Sequence, residues 1–263
     1  MRVTDSTSRQ RSGPWIACAR DRFCCLLAAA VGLLVGLGPM DALAQVAIPG
    51  TRVVFPAAKE EVVVPVRNMS SEPVLVQVWV ADGGADQPPE RSKAPFALAP
   101  PMVRLDPGKD SPIRIRQLKA MAPVSGNERL YWLNVLAVPS HANRPDENRL
   151  DVAIRSTYKV LFRPEGLGPP PADRSKSVTF RLWGGGTQRE LVMANSSPYF
   201  VNLGTLAVGR KGEEVELENP YVPPMGQARL SLPADVPMDA DSVRFQWIDD
   251  DGRLHPSTAA LEP

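Results

Sequence analysis

The chain has 263 residues and is nearly neutral, with 30 Lys and Arg against 29 Asp and Glu. That balance excludes partners held by bulk charge, such as nucleic acid or an anionic membrane surface. A chain of this length builds one or two domains.

Residues 1–44 read as a secretory signal peptide. Arg9, Arg11, Arg20 and Arg22 precede the apolar run "CCLLAAAVGLLVGLG", and the small residues Ala42 and Ala44 of "DALAQ" come after it, which places cleavage after Ala44. The apolar run is short for a transmembrane anchor, so no stable membrane insertion is expected after cleavage. The long basic region ahead of it points to a start codon downstream of Met1. Cys18, Cys24 and Cys25 all fall within this segment. The mature chain therefore enters a compartment that permits disulfides without carrying one, and it depends on its cores. Removing the segment leaves 25 basic and 26 acidic side chains, a net of −1.

The mature chain reads as all-β. "TRVVF", "EVVVPVRN", "PVLVQVWVAD", "SPIRIRQL" and "LYWLNVLAV" are short runs rich in Val, Leu, Ile and aromatic residues, punctuated by Pro and Gly. In "RLDVAIRSTYKVLFRP", residues 149–164, Leu150, Val152 and Ile154 alternate with Asp151, Ala153 and Arg155, and the strand character continues through Tyr158, Val160 and Phe162. One strand over this stretch is long against a usual length of about 5–6 residues. "PEGLGPPPADRSK", residues 164–176, is a linker by its Pro and Gly density. Strands resume with "SVTFRLW", "RELVMAN", "YFVNLGTLAV", "GEEVELE", "ARLSLPA" and "SVRFQWIDDDGRL". The expectation is two β-sandwich domains, 45–166 and 172–263, joined by a linker at 167–171.

Catalytic chemistry is thin. His141 and His255 are the only histidines, each expected in a polar loop beside proline. "WGGGT" lacks the Gly-Lys-Ser/Thr of a phosphate loop and lies between strand patterns, which predicts a hairpin turn. "DDDG", residues 249–252, lacks the spaced ligands and closing Glu of a calcium loop and reads as a turn. "NMS" and "NSS" match a glycosylation sequon, a pattern too short to carry weight. No cofactor, no metal and no enzyme activity are expected.

"NERLYWLNVLAVPS", residues 127–140, resembles the signature of the PapD-like periplasmic pilus chaperones. Glu128, Trp132, Asn134, Val138, Pro139 and Ser140 fall in place, while Asn127 departs from the charged or Gln residue usual there. "GTRVVF" is similar to the family's first strand, "PPMVRLDPG" to its conserved turn, "YKVLFRP" to the end of its seventh strand and "ANSSPYFVNL" to its second-domain stretch. The ordered motifs cover nearly all of the mature chain. A second-domain disulfide found in some relatives cannot form here.

The resemblance implies two immunoglobulin-like β-sandwich domains arranged around a cleft, in a periplasmic chaperone. It implies pilus subunits and an outer-membrane usher as partners. A subunit of that class lacks its last strand, and the chaperone lends one. Leu150, Val152 and Ile154 have the spacing of such a donor row; the competing account puts them in the chain's own core. Arg52 and Lys159 match the pair that binds a subunit's terminal carboxylate. Glu128, Arg163 and Asp250 match an ion cluster between the domains, with Asp249 replacing Asp250 if the turn shifts by one. A structural or adhesive component of a surface fibre is the alternative class, and an enzyme comes last.

Overall fold

Period-two alternation shapes the whole molecule. A computed structural model describes residues 46–121, 126–140, 152–185 and 188–262, and within them the helices are three short 3-10 turns, Pro89–Arg91, Lys119–Met121 and Arg174–Ser177. The first set of strands is β1 (Val46–Ala47), β2 (Arg52–Pro56), β3 (Glu61–Asn68), β4 (Val74–Ala81), β5 (Phe96–Ala99), β6 (Met102–Leu105), β7 (Asp110–Gln117), β8 (Arg129–Pro139) and β9 (Ile154–Arg163). One sheet runs β1-β3-β7-β5 and the other β2-β9-β8-β4-β6. Their facing sides enclose one core, with Val64, Val66, Ile113 and Ile115 from the first sheet and Val76, Leu133, Val160 and Phe162 from the second. Phe55, Phe96, Tyr131 and Phe162 pack ring against ring with centroids 5.1–6.5 Å apart.

The second set is β10 (Val178–Gly185), β11 (Gln188–Asn195), β12 (Val201–Arg210), β13 (Glu213–Glu216), β14 (Tyr221–Val222), β15 (Gln227–Ser231), β16 (Ser242–Ile248) and β17 (Leu254–Glu262). These form one curled sheet, β13-β12-β16-β17-β10-β11-β15, with β14 beside β12. It wraps a separate core that includes Phe180, Leu191, Met193, Leu206, Val243 and Phe245. The fold is therefore all-β, two immunoglobulin-like sandwiches, each with its own interior. Both lie within one compact unit, Ala44–Pro263. They meet around a cleft of about 880 Å³ whose walls include Trp132 from the first sandwich and Phe200 and Tyr221 from the second.

Two sequence expectations need correction. The long strand begins at Ile154, with Val152 and Ala153 outside it. Ala137 is its last partner on β8, and the same register would set Val152 opposite Pro139, which has no N–H to give the ladder. His255 is in a strand, not a loop: β17 pairs with β16 along its length, and the His255 ring stacks on Trp247 at 4.2 Å. The pattern of "LHPSTAALE" is masked in the sequence by Pro256 and by small or polar side chains. Both asparagines of the Asn-x-Ser stretches are buried and bonded. Asn68 donates to Glu72 O and Leu105 O and accepts from the Ser70 N–H; Asn195 donates to Tyr199 O and Pro223 O and accepts from the Ser197 N–H. Each sandwich thus uses an Asn-x-Ser stretch to fold a loop at a strand end. His141 lies outside the described residues.

Candidate functional site

Arg52 and Lys159 are Cα partners in the parallel pair β2–β9, and Trp132 of β8 is the partner of Lys159 on the other side. Residues opposite one another across a sheet share a face, so the three form one row. Val160 and Phe162 point into the core. Alternation therefore sends Lys159, Leu161 and Arg163 to the opposite face of the sheet, toward the second sandwich. Leu161 is buried there, and Lys159 Nζ donates to Asn202 Oδ1 at 2.6 Å. Nζ also stands 4.7 Å from the Tyr221 ring centroid and 5.9 Å from that of Trp132.

Both cations give up a proton more readily in this setting than they would in water. Burial, and next the charge of Arg52, lowers the Lys159 pKa from 10.5 to about 8. Arg52 is lowered too, by burial first and then by the charge of Arg174. Neither has a carboxylate partner among the described residues; Arg52 Nε reaches Thr51 Oγ1 at 3.4 Å. Among the described residues, the buried side-chain atoms that lack a hydrogen-bond partner are Arg52 Nη1, Arg174 Nε and Nη1, and Asn202 Nδ2. All are nitrogens that donate. The surroundings of Arg52 and Lys159 are thus short of acceptors.

A second group lies on the same face, further along β9. Arg163 Nε donates to Glu128 Oε1 at 2.8 Å, while Nη1 and Nη2 fork onto Asp250 Oδ2 and Oδ1 at 2.8 and 2.7 Å. The other oxygen of Glu128 accepts from the Phe200 N–H at 2.8 Å, and the Glu128 N–H donates to Pro198 O at 2.9 Å. Backbone and side chain of Glu128 thus both hold the second sandwich. Arg174 adds its guanidinium to Asp250 Oδ1. Burial raises the Asp250 pKa, but the bonds from Arg163 and Arg174 outweigh it and keep the carboxyl below its ordinary value. Asp249 turns the other way and meets His255 Nε2 at 2.7 Å. The structure thus brings Glu128, Arg163 and Asp250 together, and Arg52 beside Lys159.

Of the third group, Leu150 lies outside the described residues. Val152 is 53% exposed and Ile154 42% exposed. Ile154 has the parity of Val160 and Phe162, so it continues the core row past the point where the core ends. β2 covers β9 only from Lys159 to Arg163. Among the described residues, Ile154 to Tyr158 are paired with β8 on one edge and unpaired on the other. The open edge ends at Lys159.

Sequence reasoning missed Arg174 and Asn202. Arg174 sits in the Pro-rich linker stretch, where charge normally means solvent. Asn202 is the second residue of β12, just after the loop that Asn195 folds.

The chain matches two family profiles. One is described as "Pili and flagellar-assembly chaperone, PapD N-terminal domain", over residues 45–168, and the other as "Pili assembly chaperone PapD, C-terminal domain", over residues 173–259. Chaperone protein FimB/FhaD of Bordetella pertussis is 36% identical over 234 residues, 87% of this chain and 93% of its own length. Chaperone protein FimC of Escherichia coli is 31% identical over 241 residues, 90% of this chain and 92% of its own. Among solved structures, the Pseudomonas aeruginosa CupB2 chaperone is 31% identical with a TM-score of 0.67, covering 82% of this chain and 100% of that one. A structure of the Salmonella enterica SafA pilin in complex with the SafB chaperone matches at 27% identity and a TM-score of 0.68, over 83% of this chain and 97% of that one.

Proposed function

Because this chain belongs to the PapD family of pili assembly chaperones, we propose that it captures pilus subunits in the periplasm by donor-strand complementation and hands them to an outer-membrane usher. The family is not enzymatic, and nothing in the proposed cycle forms or breaks a covalent bond. The mature protein is taken to begin after Ala44, with residues 45–166 and 172–263 as its two sandwiches and 167–171 between them. No helix among the described residues is long and apolar enough to cross a membrane.

The observation that carries this reading is one of continuity: an unpaired strand edge with an exposed apolar row runs directly into a pair of cations without carboxylates. A strand added along that edge gains main-chain hydrogen bonds, while Val152 and Ile154 meet the partner's open groove. If the partner's terminal carboxylate sits at Arg52 and Lys159, the added strand ends there and runs in the same direction as β9. Fixing that end also fixes register, since a slip of one residue would turn every apolar side chain to the wrong face. The SafA–SafB structure is a pilin held by such a chaperone, and this supports the choice of partner. Release needs no nucleotide, because the subunit's completed fold in the fibre supplies the driving force. A fibre component is the weaker reading, since relatives matched over most of their own length are named chaperones.

The test is coexpression with small exported subunits encoded beside an usher gene. The expected product is a chaperone–subunit complex that is lost in Arg52→Ala and in Lys159→Ala while both variants stay folded. Normal subunit recovery by both would overturn the anchor.

A further inference from the structure

Two carboxylates and four strong cations crowd the junction of the sandwiches, and their pairing is not symmetrical. Glu128 and Asp250 serve Arg163 and Arg174, which leaves Arg52 and Lys159 without an anion. Asp250 is nonetheless close to Arg52. Its turn packs on the residue before Arg52: Gly252, at φ +84°, has so little room that a Cβ there would stand 3.0 Å from Thr51 Oγ1. Asp250 is also among the charges that act on the Arg52 guanidinium, with Arg174 acting more strongly. Both oxygens of Asp250 are already occupied. Oδ1 of Asp250 accepts from both Arg163 Nη2 and Arg174 Nη2, and Oδ2 accepts from Arg163 Nη1. Arg174 is only 3% exposed and is fixed from behind, because Asp173 caps the short helix it opens by accepting from the Ser175 N–H at 3.1 Å.

We propose that Arg174 is a positioning residue of the anchor: by occupying Asp250 it keeps Arg52 unpaired and available to an incoming carboxylate. Without it, Oδ1 of Asp250 keeps only Arg163 as a partner and gains a free acceptor position beside a guanidinium that lacks one. The two pair, and the anchor neutralises itself. Arg174 acts on the ligand only through Asp250. This inference rests on the carboxylate-anchor reading, so its test must separate the two.

The probe is a short fluorescent peptide of alternating Val and Ser, made once with a free C-terminal carboxylate and once as the amide. Titration of the wild-type protein is expected to show a preference for the carboxylate of about tenfold or more, as charge-assisted bonds to a buried site provide. In Arg174→Gln that preference should fall to near parity while amide binding is unchanged. A purely structural role would weaken both peptides alike. Arg174→Gln combined with Asp250→Asn removes the competing carboxylate and should restore the preference; this pair also carries the test if the single variant does not fold. No preference in wild type overturns the anchor and the proposal together. A wild-type preference that persists in Arg174→Gln, or that is lost in the folded double variant, overturns the proposal alone.

Discussion

Lys159 shows how far a surrounding can change a side chain without any covalent help. Its ammonium lies against the Tyr221 and Trp132 rings and donates to Asn202, and burial brings its pKa down to about 8. That shift fixes the sign of the pH effect. Between about pH 8 and 10.5 the unfolded chain keeps a proton on Lys159 that the folded chain has released. Lys159 therefore costs the free protein stability most fully below about pH 8, and the cost fades as pH rises toward 10.5. Binding runs the other way, because a carboxylate is held by the ammonium and not by the amine. Affinity for a carboxylate-ended peptide should be highest below about pH 8 and decline as pH rises through that value. Lys159→Arg should retain binding with a flat profile, since a guanidinium stays charged throughout. Peptide titrations from about pH 6.5 to about pH 9.5 read this directly, the free-amine range being where the linked proton is lost. A wild-type profile as flat as that of Lys159→Arg would count against the role of Lys159. The charge pair was legible as residues in "TRVVF" and "YKVLFRP". The acceptor-poor surroundings were not, because Asn202 and Arg174 come to the pair from a different sandwich and from a linker.

β9 has two differently surrounded faces and one open edge. Toward the core it buries Val160 and Phe162, toward the second sandwich it sends Lys159 and Arg163, and from Ile154 to Tyr158 it leaves one edge unpaired. Alternation alone predicted a strand here and which residues share a face, not which way that face points. It could not say where the core stops, since Ile154 and Val160 have the same parity and the same chemistry. What changes is cover: β8 is still paired at Ile154, through Ala137, but β2 flanks β9 only from Lys159 to Arg163. The same limit hid β17, whose sheet position depends on β16 rather than on its own hydrophobicity. At 42% exposure, Ile154 offers a clean discrimination. Ile154→Asp should change the stability of the free protein by about 0.5 kcal/mol or less, as exposed substitutions do. It should abolish subunit capture, because one buried aliphatic side chain is worth about 1.5–3 kcal/mol and an unpaired carboxylate in an apolar groove costs more. Thermal melts of the free protein and pull-down of a subunit check the two halves. A collapse in melting temperature would mean that Ile154 belongs to the chain's own core.

Two separate interiors require something to set the angle between them, and the buried ion cluster is the strongest link in view. Glu128 gives both oxygens and its N–H to groups that tie it to the second sandwich or to Arg163, and its side chain is wholly inaccessible. Hydrophobic cores without shared residues cannot hold an orientation by themselves, since apolar contact is not directional. Forked guanidinium–carboxylate bonds are. Arg163→Ala should therefore cost about 3–5 kcal/mol, most of it from stranding the Glu128 charge. Adding Glu128→Leu to that variant should recover much of the loss, because no ion then remains buried without a partner. Subunit capture should not recover with it. Capture as proposed needs β9, the start of β12 with Asn202 and the turn bearing Asp250 in fixed relation, and an apolar pair at the hinge restores stability without restoring that geometry. Denaturation curves for the single and double variants, set beside subunit recovery, separate the two quantities. If capture returns in step with stability, the cluster contributes only to folding, and the orientation of the sandwiches is held by other contacts.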